Sequence, residues 1–328
     1  MILAAGFGTR LGELTAVRPK PMLPVCGAPL VRWSVLWLRA HGVREIVVNL
    51  HHLGEQIVDE LGDGSELGVA IAYSHEEGLI LGTGGGLRQA RGLLDDGHDG
   101  SILVVNGKIV CDLDLRGLMA AHESSGREAT MVLWQDERWP GNVAADRNDG
   151  GRLGMLRHEV APGVEPGPTM MFTGIQVMQP RFLDRVPAEG EQCIVSTAHT
   201  QLFHEQGGKG VGVHVHEGYW WEHSTVERYL QGITNLLDDR ARLPWAERAV
   251  RGVDPTAIIE AGVEIDARVH VGPGAVLRSG AVIGAHSQVG AGATVEAGVR
   301  MGRAAVWPGA TLRADLHDGV CSGVGALP

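Results

Sequence analysis

Short apolar runs alternate with amphipathic segments over about the first 135 residues of the chain. The apolar runs predict buried strands at 1–4, 45–50, 69–73, 102–105 and 130–133. The amphipathic segments predict helices at 30–40, 54–61, 84–94 and 115–124. Further on, a strand is predicted at 171–178 and a helix at 225–237. Strands that alternate with helices favour a mostly parallel sheet that is covered on both faces.

From residue 259 onward the pattern changes to an unbroken period of six. Apolar residues occupy the same place in nine consecutive hexads: Ile259, Ile265, Val271, Leu277, Ile283, Val289, Val295, Met301 and Trp307. A hexapeptide period is typical of a triangular parallel β-helix, in which about eighteen residues make one coil. The pattern therefore predicts a β-helix of three coils, with these apolar residues inside it.

Net charge narrows the classes of partner. Asp and Glu outnumber Lys and Arg by 39 to 28, which gives a formal net charge of −11 at pH 7. This balance argues against a nucleic-acid or anionic membrane partner, since both need a basic surface. No apolar run approaches the roughly 18 residues of a membrane span. The four cysteines lack metal-ligand spacing, and we expect reduced thiols in a cytoplasmic protein.

A glycine-rich loop follows the first predicted strand. Gly6 and Gly8 let backbone N–H groups approach an anion closely, and Arg10 and Lys20 add positive charge. The GxxxxGK[ST] phosphate loop is absent, and the GxGxxG dinucleotide pattern fails because Leu11 stands at its third glycine. The loop therefore predicts a phosphate site of a different kind.

The segment LAAGFGTRL at 3–11, followed by RPKPMLPV at 18–25, resembles the opening of the sugar-1-phosphate nucleotidylyltransferases. Later segments match the same family in order, namely LGTGGG at 81–86, VVNG at 104–107, Gly141, TGI at 173–175 and WWE at 220–222. The resemblance covers about residues 1–235. The trailing hexapeptide repeat resembles the arrangement of the mannose-1-phosphate guanylyltransferases.

The resemblance implies the fold and its division into domains. We expect a Rossmann-like α/β nucleotidyltransferase domain with a mixed sheet at 1–237 and a connector at 238–253. A left-handed parallel β-helix with its tail would follow at 254–328, with the hexapeptide repeats at 259–312.

The resemblance also implies a reaction. In this family a sugar-1-phosphate oxygen attacks the α-phosphorus of a nucleoside triphosphate and releases pyrophosphate. Catalysis would rest on alignment and on charge neutralisation by Arg10, Lys20 and Mg²⁺. The base and ribose would be held by Leu3, Ala4, Ala5, Gly6, Thr83 and Gly84, the triphosphate by Gly8, Thr9, Arg10 and Lys20, and the sugar phosphate by Asn106, Gly141 and Gly174.

The pair of aspartates that binds metal in this family is changed here. Its two positions hold Lys108 and Glu222. Glu222 keeps a carboxylate on a longer arm, but an ammonium has no lone pair for Mg²⁺, so Lys108 cannot be a ligand. The family's Glu-Lys-Pro segment, whose lysine meets the sugar phosphate, is also missing.

Three interpretations stay open on the sequence alone. In the first, the chain is an active transferase with mannose-1-phosphate and GTP as the leading pair, Mg²⁺ arrives with the NTP, and Lys108 replaces the metal beside Glu222 or Asp112. In the second, it is a non-catalytic homologue that binds a nucleotide or nucleotide sugar and regulates a partner. In the third, it is an acyltransferase with His270 or His286 of the β-helix as base.

The repeat also predicts an assembly. A three-coil β-helix has open ends whose apolar residues need a cover. We therefore expect a homo-oligomer, or a complex with a partner nucleotidyltransferase subunit, formed through the β-helix.

Overall fold

The computed structural model describes residues 1–95, 97, 100–323 and 326–327. Contacts divide the chain into two compact units. Unit 1 comprises Met1–Gly6, Leu38–Gly107 and Leu113–Trp220, and unit 2 comprises Phe7–Trp37, Lys108–Asp112 and Trp221–Pro328. The repeat region thus shares a unit with most of the glycine-rich loop. The boundaries of these two units do not coincide with the domain boundaries predicted at 237 and 254, which stay a prediction.

Helices cover the amphipathic segments. The α-helices of the described chain are α1 (Leu14–Val17), α2 (Leu30–Ala40), α3 (Gly54–Leu61), α4 (Gly82–Gln89), α5 (Arg91–Leu94), α6 (Leu115–Ser125), α7 (Thr200–Gln206) and α8 (Val226–Leu237). Short 3₁₀ turns lie at Thr9–Leu11, Lys20–Met22, Ser65–Leu67 and Pro180–Arg185, and a π-helical turn lies at Val195–His199. Among the residues described, no helix has both the length and the apolar character that crossing a membrane requires.

The strands of the α/β region are short. They are β1 (Ile2–Leu3), β2 (Pro24–Val25), β3 (Ala28–Pro29), β4 (Glu45–Leu50), β5 (Ala70–His75), β6 (Ile102–Asn106), β7 (Ile109–Cys111), β8 (Ala129–Trp134), β9 (Val143–Ala145), β10 (Leu153–Leu156), β11 (Glu159–Val160), β12 (Met171–Met178), β13 (Val211–His216) and β14 (Trp220–Glu222).

The main sheet of unit 1 has seven strands in the described part of the chain, in the order β13-β8-β12-β6-β1-β4-β5. β1 pairs in parallel with β4 and β6, so that Ile2 lies opposite Val48 and Val105. β12 runs antiparallel between β6 and β8, which confirms the mixed sheet. The parallel strands β1, β5 and β6 end at the same edge of this sheet. Ligands of such sheets bind beyond the carboxyl ends of the strands, so the candidate binding residues are those that follow these three strands.

Two regions of unit 1 differ from the sequence prediction. The helix predicted at 84–94 begins at Gly82 and is divided at Ala90, whose φ of −76° and ψ of −1° interrupt the helical ladder between α4 and α5. In the region 136–218 the sequence pattern predicts only the strand at 171–178, but the structure also contains the small antiparallel sheet β11-β10-β9 and the strand β13. Its apolar runs are too short and too often broken by Gly and Pro to show a period.

The repeat region of unit 2 folds as stacked parallel strands. They are β15 (Gly252–Val253), β16 (Ile258–Ile259), β17 (Glu264–Ile265), β18 (Val269–Val271), β19 (Val276–Leu277), β20 (Val282–Ile283), β21 (Ser287–Val289), β22 (Thr294–Val295), β23 (Arg300–Gly302), β24 (Ala305–Val306), β25 (Thr311–Leu312), β26 (Leu316–His317), β27 (Val320–Cys321) and β28 (Ala326–Leu327). In the first coils, paired residues are eighteen apart, such as Ile259 with Leu277. The stacks are those of a parallel β-helix, consistent with the predicted left-handed type.

The coils shorten toward the C-terminal end, which corrects the predicted register. Val289 lies opposite Val306 and not Trp307, because this coil is one residue shorter than the repeat requires. Val306 therefore takes the place of the inner anchor, and Trp307 lies one residue beyond it.

The prediction of three coils within 259–312 was also too short. Val253 pairs with Val271 before the repeat, and Cys321 pairs with Val306 after it. In the described residues, two of the three parallel stacks have four rungs and the third has five, with β28 added antiparallel to β27.

The open first coil and the buried second coil provide a matched pair of substitutions. Ile259 is 47% exposed, whereas Ile283, at the same place in the repeat, is 1% exposed. We predict that Ile283→Ala lowers the free energy of unfolding by about 2–5 kcal/mol and that Ile259→Ala lowers it by less than about 1 kcal/mol. Urea denaturation measures both. Equal losses at a protein concentration at which the chain is monomeric would contradict an open first coil, since they would mean that Ile259 is covered within a single chain.

Candidate functional site

The part of the glycine-rich loop that lies in unit 2 packs against the side chain of Lys20. Gly8 has a φ of +72°, and a Cβ at this position would lie 2.9 Å from Thr15 Cγ2 and 3.1 Å from Lys20 Cε. Both the backbone conformation and the available space therefore require glycine here. The Thr15 hydroxyl donates to the Gly8 carbonyl, which helps to hold the turn at Thr9–Leu11 that carries Arg10.

Lys20 is a buried cation among other cations. Burial first, and then the charges of Lys108 and Arg10, lower the pKa of its ammonium to about 8, while Glu222 acts in the opposite direction. Only three of the 28 basic residues in the sequence are lysines, namely Lys20, Lys108 and Lys209. Two of the three thus lie within electrostatic reach of each other, in a group that can attract phosphates.

Lys108 and Glu222 form an ion pair, with 2.7 Å between Lys108 Nζ and Glu222 Oε2. The Ser224 hydroxyl donates to Glu222 Oε1 at 2.9 Å, and Arg228 Nε lies 3.8 Å from the same oxygen. Burial alone would raise the pKa of Glu222, but Lys108, Arg228 and Ser224 outweigh burial and lower it to about 2. Of the two carboxylates that the sequence offered to Lys108, the structure therefore pairs it with Glu222 and not with Asp112.

The register of two short strands places this ion pair. Lys108 immediately precedes β7, Glu222 ends β14, and the two strands form a two-stranded sheet. The His223 backbone N–H donates to the Lys108 carbonyl at 3.1 Å. The side chains of Lys108 and Glu222 therefore meet because the backbone on either side of them is already paired.

The surroundings of Glu222 do not fit a divalent cation. Where the family has a second carboxylate, Lys108 offers an ammonium without a lone pair, and Glu222 itself is already occupied by Lys108, Arg228 and Ser224. Within the described residues, no group of three or more His, Cys, Asp or Glu side chains could hold a metal ion. The structure thus gives no support to Glu222 as a metal ligand.

In unit 1, two buried polar side chains join the segments expected to hold the base and ribose. Asn49 Oδ1 accepts a hydrogen bond from the Ala4 N–H at 2.7 Å, and Asn49 Nδ2 donates to Glu76 Oε1 at 2.6 Å. Glu76 Oε2 accepts from the Leu81 N–H at 2.9 Å. This relay fixes the end of β1 relative to the start of α4. The sequence patterns did not reveal this relay, although the polar Asn49 within the apolar run at 45–50 was a usable signal.

Thr83 and Gly84 are bonded to another part of unit 1. Thr83 Oγ1 accepts a hydrogen bond from the Ile194 N–H at 3.0 Å, and the Gly84 N–H donates to the Gln192 carbonyl at 2.7 Å. These bonds hold the first turn of α4. The Gly84 N–H is therefore engaged within the protein, and a role of Thr83 and Gly84 in nucleotide binding stays a prediction.

Asn106 and Gly174, two residues expected at the sugar phosphate, lie in contact within unit 1. Gly174 has a φ of +77°, and a Cβ there would lie 1.8 Å from Asn106 Nδ2. Only glycine therefore lets Asn106 occupy this place. Gly141, the third expected residue, packs instead against the backbone of Met170.

The two β-helix histidines considered for acyl transfer are engaged in packing. His270 is buried, its Nδ1 lies 3.0 Å from the Val250 carbonyl oxygen, and its ring lies against Gly27. His286 Nε2 lies 2.8 Å from Asp238 Oδ1. Both imidazoles thus have structural partners, which argues against the acyltransferase interpretation.

Comparison with known proteins supports a single family. A family model described as nucleotidyl transferase matches residues 1–152. An N-acetylmuramate alpha-1-phosphate uridylyltransferase from Neisseria meningitidis serogroup B is 37% identical over 228 residues, which cover 70% of this chain and 94% of that protein. A mannose-1-phosphate guanylyltransferase from Mycobacterium tuberculosis is 30% identical over 283 residues, which cover 83% of this chain and 76% of that protein.

A structural comparison agrees on the fold. A crystal structure described as a glucose-1-phosphate thymidylyltransferase from Bacillus anthracis has a TM-score of 0.56 at 23% identity, and the match covers 70% of this chain and 92% of that one. The mixed α/β sheet with its glycine-rich loop defines the class of nucleotidyl transferases. The chain belongs to the family of sugar-1-phosphate nucleotidylyltransferases, which confirms the resemblance seen in its sequence.

The titration of Lys20 leads to a prediction about pH. We predict that affinity for a nucleoside triphosphate falls as the pH rises above about 8, because Lys20 loses its charge there and a neutral amine attracts phosphate less. Lys20→Arg should remove this dependence, since a guanidinium stays charged, and Lys209→Arg should keep it. Isothermal titration calorimetry at several pH values on either side of 8 measures the effect. A flat profile for the unmodified protein would contradict it.

Proposed function

We propose that this protein transfers a nucleotidyl group from an NTP to a hexose-1-phosphate and releases pyrophosphate. The observation that carries the proposal is the group of Arg10, Lys20 and Lys108, in which Glu222 balances one positive charge and the others remain. A surplus of fixed positive charge beside a glycine-rich turn suits a triphosphate. Membership of the family supports the class of reaction.

The proposed mechanism is alignment with charge neutralisation. The sugar phosphate needs no general base, because its second pKa of about 6 leaves it largely dianionic at neutral pH. Its oxygen attacks the α-phosphorus, the bond to the pyrophosphate breaks, and negative charge moves to that leaving group. Lys20 and Arg10 would neutralise this charge. Mg²⁺ enters as part of the substrate, Mg·NTP, and no step is assigned to a metal held by the protein.

In this mechanism Lys108 stands where the family has a metal-binding aspartate. Its ammonium is a single fixed charge, and Glu222 holds it at 2.7 Å. The ion pair is neutral as a whole, so it stabilises developing negative charge less than a divalent cation does. We therefore expect slower chemistry than in the metal-dependent relatives and a weaker dependence on Mg²⁺.

The base and the sugar are the finer part of the proposal. The match to the Mycobacterium tuberculosis guanylyltransferase covers 83% of this chain and supports mannose-1-phosphate with GTP. The match to the Neisseria meningitidis uridylyltransferase is shorter but more similar, and supports N-acetylmuramate α-1-phosphate with UTP. A panel of NTPs against both sugar phosphates, with pyrophosphate release as the readout, separates these two pairs.

The same ion pair favours a second function. A carboxylate that is already occupied by Lys108, Arg228 and Ser224 suits a protein that binds a nucleotide or nucleotide sugar without turnover and regulates a partner. Binding with no pyrophosphate release across the panel would support this function over the first.

We also propose that this protein forms an assembly through its β-helix, in the cytoplasm. The first coil of the β-helix exposes the apolar residues Val253, Ile258 and Ile259. An exposed apolar coil of this kind can bind a second copy of the chain or a related nucleotidyltransferase subunit. Light scattering of the intact chain tests this part of the proposal.

Loss of either cation of the glycine-rich loop should weaken nucleotide binding. We predict that Arg10→Ala and Lys20→Ala each lower NTP affinity or turnover by about ten- to a hundredfold, the usual effect of removing one charge-assisted contact. The matched control is Lys209→Ala, which removes the lysine outside the group. An affinity within about twofold of the unmodified protein in both variants would rule out this loop as the phosphate site.

Restoring a carboxylate at residue 108 tests the role of the ion pair. We predict that Lys108→Asp makes turnover depend more strongly on Mg²⁺, because a second carboxylate beside Glu222 creates a metal site in the protein that must be filled. The measurement is pyrophosphate release across a Mg²⁺ titration. If the unmodified protein is inactive with every substrate and Lys108→Asp gains activity, the regulatory function is the correct one.

A further inference from the structure

One face of the β-helix holds the chain segment that follows Lys20. Gln288 on β21 is buried, and its Nε2 donates to the Pro24 carbonyl at 2.7 Å. Its Oε1 accepts a hydrogen bond from the Cys26 N–H at 2.8 Å. A single β-helix side chain thus binds the backbone of this segment through both ends of its amide.

Tyr229 of α8 completes this contact. Its hydroxyl donates to the Pro24 carbonyl at 2.6 Å and accepts hydrogen bonds from Gln288 Nε2 at 2.9 Å and from Trp307 Nε1 at 3.1 Å. Burial raises the pKa of Tyr229 well above its ordinary value, so the hydroxyl keeps its proton as a donor. A buried network with these bonds made is stiff, because moving any member leaves another unsatisfied.

The segment is held on both sides of Pro24. The Arg18 guanidinium lies 5.2 Å from the centroid of the Trp307 ring, and Gly27 packs against the ring of His270. Between these contacts the chain contains Pro19, Pro21 and Pro24, whose fixed φ angles limit how far the backbone can bend. Lys20 lies in this stiff stretch, so its position depends on what anchors the stretch.

We propose that Gln288 is a positioning residue for Lys20. From the β-helix it fixes Pro24 and Cys26, and through the proline-rich stretch it sets how deeply the Lys20 ammonium is held in the glycine-rich loop. The β-helix then contributes to the phosphate site, because it fixes the position of Lys20. The inference rests on the proposed role of Lys20 in binding the triphosphate.

The test uses the intact chain and the Gln288→Met variant, which keeps the length of the side chain and removes its hydrogen bonds. The matched control is Val295→Ala, which opens a cavity in the β-helix core, in a different stack from Gln288. ¹³C-labelled lysine gives three side-chain signals, which Lys108→Arg and Lys209→Arg variants assign. Their titration reports the environment of Lys20 without any need for activity.

In Gln288→Met we expect the pKa of Lys20 to rise by at least about half a unit toward that of an exposed lysine, because the ammonium becomes better hydrated. We expect NTP affinity to fall by about five- to twentyfold in the same variant, as for a lost hydrogen-bond partner. Val295→Ala should lower the unfolding midpoint and leave both quantities unchanged. The same titration and affinity in Gln288→Met as in Val295→Ala would overturn the inference and leave Gln288 a purely structural residue.

Two further measurements keep the outcomes distinct. If Gln288→Met does not fold, Gln288→Leu replaces it, since this variant also removes both hydrogen bonds and adds no charge that would itself shift the pKa of Lys20. The same shifts in Lys20 are then expected, and their absence overturns the inference. If the unmodified protein binds no NTP, the proposed function fails, but the Lys20 titration still decides the positioning role.

Discussion

The charge balance around Glu222 is the constraint on which the site of unit 2 depends. Lys108 and Arg228 lie beside this carboxylate, and Lys20 and Arg10 add further positive charge nearby. Burial, together with positive charge that one carboxylate cannot balance, disfavours the charged form of Lys20, and the lowered pKa of Lys20 records both effects. A polyanion would remove that imbalance. The loop, the ion pair and the contacts that hold them therefore keep like charges close together, as the proposed triphosphate site requires.

The periodicity of the sequence predicted much of the fold. It failed where tertiary contacts decide which residues of neighbouring strands pair. The period of six gave the pairing of residues eighteen apart in the first coils, because each inner residue must stack on the next. It could not show the shorter coil at Val306, since Val306 and Trp307 are both apolar and either could have been the inner residue. The shift of one position is what takes Trp307 out of the predicted register and brings its ring N–H to Tyr229.

The candidate site was predictable to the extent that its motifs are local. The glycine-rich loop and the change at Lys108 are visible in the sequence because each needs only its immediate neighbours. Asn49 and Glu76 were missed, since their importance comes from hydrogen bonds to residues 45 positions and five positions away. Arg228 and Ser224 were missed for a similar reason: a helix and a strand end bring them to Glu222, and no spacing rule marks them.

The coils of the β-helix differ in length, so its two ends are not equivalent. Its rungs are eighteen residues apart at the start, seventeen at Val289 and fifteen at Val306, so the cross-section narrows along the axis. At the narrow end β28 turns back and pairs antiparallel with β27, which interrupts the parallel stacking there. The first coil, by contrast, has the full period, and its outer edge pairs with no strand of the described chain. Lengthening of this domain by duplication of a coil would therefore be tolerated at the wide end and would disturb the geometry at the narrow one.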